Sequence, residues 1–178
     1  MVKTITNIVH SFAIWLVGLV GLGAEFANYV YILIVSMLPI VELRGAIPLA
    51  MALKMPIVPS FLVSIIGNLI PVPFILLLIK KVCEWMKTRK KLSKIPLFLE
   101  EKVDKNKDKV TKYGKWGLFL FVAIPLPGTG AWTGALIASF LNFKFKDSLI
   151  AIIGGVLTAG IIMSVFSYGL LDFIIGLF

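Results

Sequence analysis

Two helix-breaking stretches, Leu38-Pro39-Ile40-Val41-Glu42-Leu43-Arg44-Gly45 and Ile124-Pro125-Leu126-Pro127-Gly128-Thr129-Gly130, interrupt apolar runs that otherwise read as lipid-embedded helix. Pro39 and Pro125 lie 86 positions apart, close to half of the 178 residues. Breakers at matching places in two halves point to a midplane site of the kind transporters build. The first stretch also carries Glu42 and Arg44, and a charge at the bilayer centre costs about 2.5–3.5 kcal/mol on insertion scales. Hydrophobic residues make up 59% of the chain, well above the ~45–50% of soluble domains. Mean hydropathy is +0.99. The solvent for most of this chain is a bilayer.

A full span takes about 20 apolar residues. Met1–Gly23, with Lys3 and small residues at Gly21, Gly23 and Ala24, has the outline of a secretory signal; it reads as a retained first span over about 8–23. The runs Tyr29–Leu38 and Ala46–Met55 are each too short to cross, and both join the Pro39–Gly45 break. Together they predict a re-entrant hairpin, whose turn is tolerated at membrane depth only where protein or a wet cavity satisfies its backbone. Ser60–Ile79 is long enough for a crossing, and Asn68, Pro71 and Pro73 predict a kink in its middle. The second half repeats this plan. A short segment, Lys115–Ile124, ends at Pro125; Ala131–Phe143 returns; Ser148–Tyr168 is a span; a short tail follows from Gly169. A shift of 86 to 87 aligns Pro39 with Pro125 and Gly67 with Gly154.

The expected fold is all-α and polytopic, one membrane domain over 1–178. It comprises a first repeat (about 26–79), a basic connector (about 80–113) and a second repeat (about 114–178), each repeat a hairpin followed by a transmembrane helix. Of 18 Lys and Arg, 13 fall between Lys80 and Lys115, and the positive-inside rule places that connector in the cytoplasm of a cell bearing the chain in its plasma membrane. The two hairpins then enter from opposite faces as inverted repeats. Within the connector, Leu92, Ile95, Leu99 and Val103 recur at helical spacing, Pro96 interrupts any long helix, and Glu101–Lys105 and Asp108–Lys112 are same-helix pairs. The connector's cations suit anionic lipid headgroups better than nucleic acid.

The segments Pro39-Ile40-Val41-Glu42-Leu43-Arg44-Gly45-Ala46-Ile47-Pro48 and Pro125-Leu126-Pro127-Gly128-Thr129-Gly130-Ala131-Trp132-Thr133-Gly134 resemble the paired signatures of the small multidrug export protein family. That family is similar to the DedA superfamily, whose VTT domain has two re-entrant hairpins facing each other. The resemblance implies a membrane transporter, with DedA relatives linked to lipid carriers such as undecaprenyl phosphate or phospholipids and to proton coupling. Glu42 matches the acidic residue of the first DedA hairpin. DedA proteins carry arginines around the second proline motif, where this chain has Val122 and Gly128; Arg44 offers a cation from the other hairpin instead.

Read residue by residue, Glu42 is either a proton-responsive carboxyl or a turn residue held by Arg44. Arg44 either receives an anionic headgroup through its planar fork of donors or locks the hairpin. Gly130 and Gly134 suit close helix approach, while the helix start at Ala131 favours an anion, with Thr129, Thr133 and Trp132 as candidate contacts. Asn68 either lines a cavity or bonds a neighbouring helix. The glycines lack dinucleotide and phosphate-loop spacing. A lone Cys83 and a lone His10 leave no metal cluster or disulfide, and no cofactor or enzymatic chemistry is expected. The main expectation is proton-coupled translocation of a small amphiphile or lipid-carrier headgroup. A small multidrug or cation exporter and a non-transporting membrane scaffold are the alternatives, and homo-oligomerisation stays open.

Overall fold

The computed structural model describes residues 2–19, 24–89, 94–126 and 128–169; these form helices and turns with no strand among them. Prolines and glycines set the helix ends. The chain divides into two units, Met1–Asn68 with Gly160–Phe178, and Leu69–Ala159.

The first unit contains α1 (Val2–Leu19), α2 (Ala24–Met37), α3 (Glu42–Ala52) and α4 (Ile57–Leu69). α2 packs on both α1 and α3, around a core of Ala13, Tyr31, Ile32, Val35, Ala46, Ala50 and Met55. The Leu38–Val41 turn joins α2 to α3, so the predicted helix–turn–helix forms where Pro39 ends the first arm. Pro48 lies inside α3 and brings no N–H for the Arg44 carbonyl four residues before it. This unit also takes in the end of a later helix. There the Tyr168 hydroxyl donates to the Met55 carbonyl at 3.1 Å.

The second unit contains α5 (Pro71–Lys87), α6 (Lys94–Asp104), α7 (Lys107–Thr111), α8 (Gly114–Ala123), α9 (Ala131–Phe140) and most of α10 (Phe145–Ser164). α9 packs on α5, α6 and α8. Lys80 Nζ donates to Asn142 Oδ1 at 2.5 Å, tying α5 to the end of α9. In the connector, Pro96 falls in the first turn of α6, where a missing N–H costs nothing. Glu101–Lys105 forms at 2.6 Å, joined by Lys107–Asp104 at 3.0 Å and Lys87–Glu100 at 2.5 Å. The hydrogen bond that Lys107 donates to Asp104 raises the Lys107 pKa above the ordinary lysine value.

Two helices are long and apolar enough to cross a membrane, Ile57–Lys87 (31 residues) and Phe145–Gly169 (25 residues). At 1.5 Å per residue they measure about 46 and 38 Å, against about 30 Å of hydrocarbon. The first is α4 running into α5 through Ile70, which keeps helical angles (φ −52°, ψ −49°). The expected kink region is therefore one residue wide. The helix also continues past Ile79 to Lys87, because lysines are good helix formers and their stems reach from an apolar end into water. The second is α10 continued by a π-helical turn, Val165–Gly169. Val20–Gly23, Leu92, Pro127 and the tail 170–178 lie outside the described residues.

The two hairpins share a register finer than any single shift. Gly67 on α4 sits against α2, where an added Cβ would run into Ser36 Oγ and the Leu33 carbonyl. Gly155 on α10 sits against α8, where it would lie 2.7 Å from Val122 Cβ and 2.9 Å from the Phe119 carbonyl. Leu33 to Phe119 and Ser36 to Val122 are offsets of 86; Gly67 to Gly155 is 88. After the turns the 88 offset persists. Lys54 (φ 56°) and Asn142 (φ 58°) both end their helices in the left-handed region. Met55 N–H then donates to Ala50 O, and Phe143 N–H to Ala138 O. Ser60 and Ser148 hydroxyls donate to the carbonyls of Pro56 and Lys144. The second turn thus carries two extra residues, and the alignment of Gly67 with Gly154 is corrected to Gly155.

Candidate functional site

The first signature, Pro39 to Pro48, sits in the first unit. Glu42 is the first residue of α3 and 4% exposed. Its backbone is left-handed, φ 49°, and its N–H donates to the Leu38 carbonyl at 2.9 Å. A non-glycine residue held there costs about 1–2 kcal/mol. A carboxylate at a helix N-terminus recovers part of that through the dipole. Arg44, half-buried, follows two residues later on α3. A Cβ at Gly45 would meet Val41 Cγ1, so the valine would have to shift to admit one. Pro39 is exposed at the turn and Pro48 half-buried in α3.

The second signature lies in the other unit. Pro125 is half-buried and Gly128 is exposed with φ 83°. The Thr129 hydroxyl lies 2.9 Å from each of the Ile124 and Leu126 carbonyls, a turn-closing role. Gly130 precedes α9 at φ 128°, ψ −177°, a region open essentially to glycine alone. Thr133 and Gly134 are buried, Trp132 half-buried. A Cβ on Gly134 would lie 2.6 Å from Val122 Cγ2, which favours the close-packing reading of that glycine.

With the 88 offset, Glu42 occupies the position of Gly130, and Arg44 that of Trp132. Sequence reasoning found Glu42 but missed its backbone, since nothing in a glutamate signals a left-handed φ. Asn68 is fully buried with both amide atoms unpartnered, and the Ser64 hydroxyl one turn earlier is likewise buried and unpartnered. Ser64 had no signal beyond its four-residue spacing from Ser60 and Asn68. No group of three or more potential metal ligands occurs among the described residues.

No curated protein and no solved structure matches this chain. A family model does, over residues 42–162, more than half of the chain and beginning at Glu42 itself. Its description is "Putative small multi-drug export protein". Two helices able to span a membrane and an export family agree on a membrane location, and the chain belongs to that family.

Proposed function

We propose that this protein is a proton-coupled exporter of small amphiphilic compounds, a carrier without cofactor or bond-making chemistry. Glu42 carries the proton and Arg44 contacts a polar or anionic part of the cargo. In this reading α2–α3 and α8–α9 are re-entrant hairpins entering from opposite faces. Their arms of 14, 11, 10 and 10 residues fall short of the roughly 20 a crossing needs. Alternating access follows from moving one repeat against the other. Exposed Ile95, Leu97 and Phe98 on α6, within the basic 80–115 connector, suit contact with anionic headgroups at the cytoplasmic surface.

One observation carries the proposal. A buried carboxyl is held in a strained backbone at the position where the sister repeat has glycine. Strain of that kind persists where surrounding structure enforces it and clusters at functional sites. The test is flux of a fluorescent amphiphile in proteoliposomes under an imposed pH gradient. The wild type should drive flux and Glu42→Gln should not, with helicity unchanged by circular dichroism. Undiminished flux in Glu42→Gln would overturn the reading.

The family description favours drug-like cargo over undecaprenyl phosphate or phospholipid. Arg44 beside Glu42 keeps the lipid-carrier reading as the second, because a guanidinium fits phosphate bidentately. Mass spectrometry of co-purified lipids separates the two. A scaffold role would instead appear as partner binding that depends on the connector and ignores Glu42.

A further inference from the structure

Two polar residues of α4, Ser64 and Asn68, have no polar counterpart in the sister repeat. Ser60 and Ser148 correspond, both fully buried and both bonded to the carbonyl four residues earlier. One and two turns on, Ser64 and Asn68 correspond to Ile152 and Val156, and all four are fully buried. The fold accepts aliphatic side chains at these positions, so it does not demand Ser64 and Asn68. Their polar atoms are unpartnered, and an unmet buried amide or hydroxyl costs about 1–3 kcal/mol.

The backbone adds to the same place. Pro71 and Pro73 bring no N–H to the carbonyls of Gly67 and Leu69, which flank Asn68. In α10 the corresponding donors belong to Ala159 and Ile161, which have them. Two backbone acceptors, an amide with both donor and acceptor, and a hydroxyl therefore gather within two turns of a membrane-crossing helix. A bound metal cation would satisfy the oxygens and leave Asn68 Nδ2 unmet. Water both donates and accepts, and holds where it finds two to four polar partners.

We propose that α4 lines a hydrated recess inside the first unit, with water bridging Ser64, Asn68 and the Gly67 carbonyl freed by Pro71. Such water is what a membrane protein needs to move protons or a polar headgroup past apolar helix. The recess stands on α4 alone and does not depend on the role given to Glu42.

The test is hydrophilic cysteine labelling of the full chain in membranes, with Cys83→Ala as background. Single cysteines at Ser64 and Asn68 are compared with Ile152 and Val156, and with Leu62 and Ile66. The last two are about half exposed on α4. A small charged methanethiosulfonate should modify the buried positions 64 and 68 at least tenfold faster than the other four. Equal, slow modification at 64, 68, 152 and 156 overturns the proposal. Hydroxyl-radical footprinting of the unsubstituted chain guards against a cysteine variant that fails to fold. Oxidation should fall on Leu69 more than on its counterpart Leu157, and equal oxidation of the two would also overturn it.

Discussion

The α2–α3–α4 and α8–α9–α10 segments follow one plan: an arm, a turn, a return arm ended by a left-handed residue, and a long helix whose glycine touches the first arm. They differ in what fills shared positions. The first has Glu42, Arg44, Ser64 and Asn68 where the second has Gly130, Trp132, Ile152 and Val156. The second turn is longer by two residues and is built on glycines and Thr129. Since one scaffold tolerates both fillings, the polar set in the first repeat answers to something other than folding. Its cost is borne in strain and in unpartnered buried groups, the places where function is expected to override local consistency.

The most severe way to break this comparison is to make the first repeat like the second. Glu42→Gly should reduce pH-driven flux to background in proteoliposomes while leaving a folded, helical protein. A Glu42→Gly protein that transports normally would show the carboxyl to be incidental. Next come the paired glycines. At Gly67 and Gly155 an added methyl meets backbone carbonyls, which cannot step aside as a side-chain tip can. Gly67→Ala and Gly155→Ala should each cost about 1–3 kcal/mol, read as lowered thermal midpoints in detergent. A neutral Gly155→Ala beside a costly Gly67→Ala would break the equivalence.

Backbone strain at Glu42 can be isolated from its charge. Glu42→Ala and Glu42→Gly remove the same carboxylate and leave the same Arg44. Alanine is ordinarily the better helix residue by roughly 1 kcal/mol, yet φ 49° should reverse the order. The glycine variant should be more stable than the alanine variant by about 1 kcal/mol. If alanine wins, the left-handed conformation is not populated and the functional argument from strain fails.

The hairpins were legible because proline and glycine announce their conformations: Pro39 and Pro125 mark where arms end, and Gly130 marks an unusual φ. The register was not. A two-residue insertion inside the second turn splits one repeat into offsets of 86 and 88, and a single shift must misplace one side, as it did Gly155. The return arms were read to end near Lys54 and Asn142, but the left-handed backbone of these two residues was hidden for another reason. Lysine and asparagine take the left-handed region without the glycine that normally signals it. The length of the Ile57–Lys87 helix was underread because a run of lysines looks like the start of a solvated loop, although it is equally a helix end in water. Glu42 and Asn68 could be singled out as polar residues in apolar runs; the left-handed backbone of the first and the unpartnered amide of the second are properties of packing and had no trace in the sequence.

The smallest effect is also the most direct check on the shared helix ending. Lys54 and Asn142 hold the same left-handed position after α3 and α9, and glycine there carries no steric penalty. Lys54→Gly should gain about 0.5–1 kcal/mol, since lysine has no local bond that favours this conformation. Asn142→Gly should gain less, or lose. Asparagine tolerates the region through its short polar side chain, and here its Oδ1 also accepts from Lys80 Nζ. Midpoints of both variants, with Lys80→Met as a third, separate the terms. In the Lys80→Met background Asn142→Gly should move towards the gain seen at Lys54, because the bond it would break is already gone. Equal gains at both sites in the unmodified chain would mean that the Lys80–Asn142 bond contributes nothing and that the two repeats end alike in energy as well as in shape.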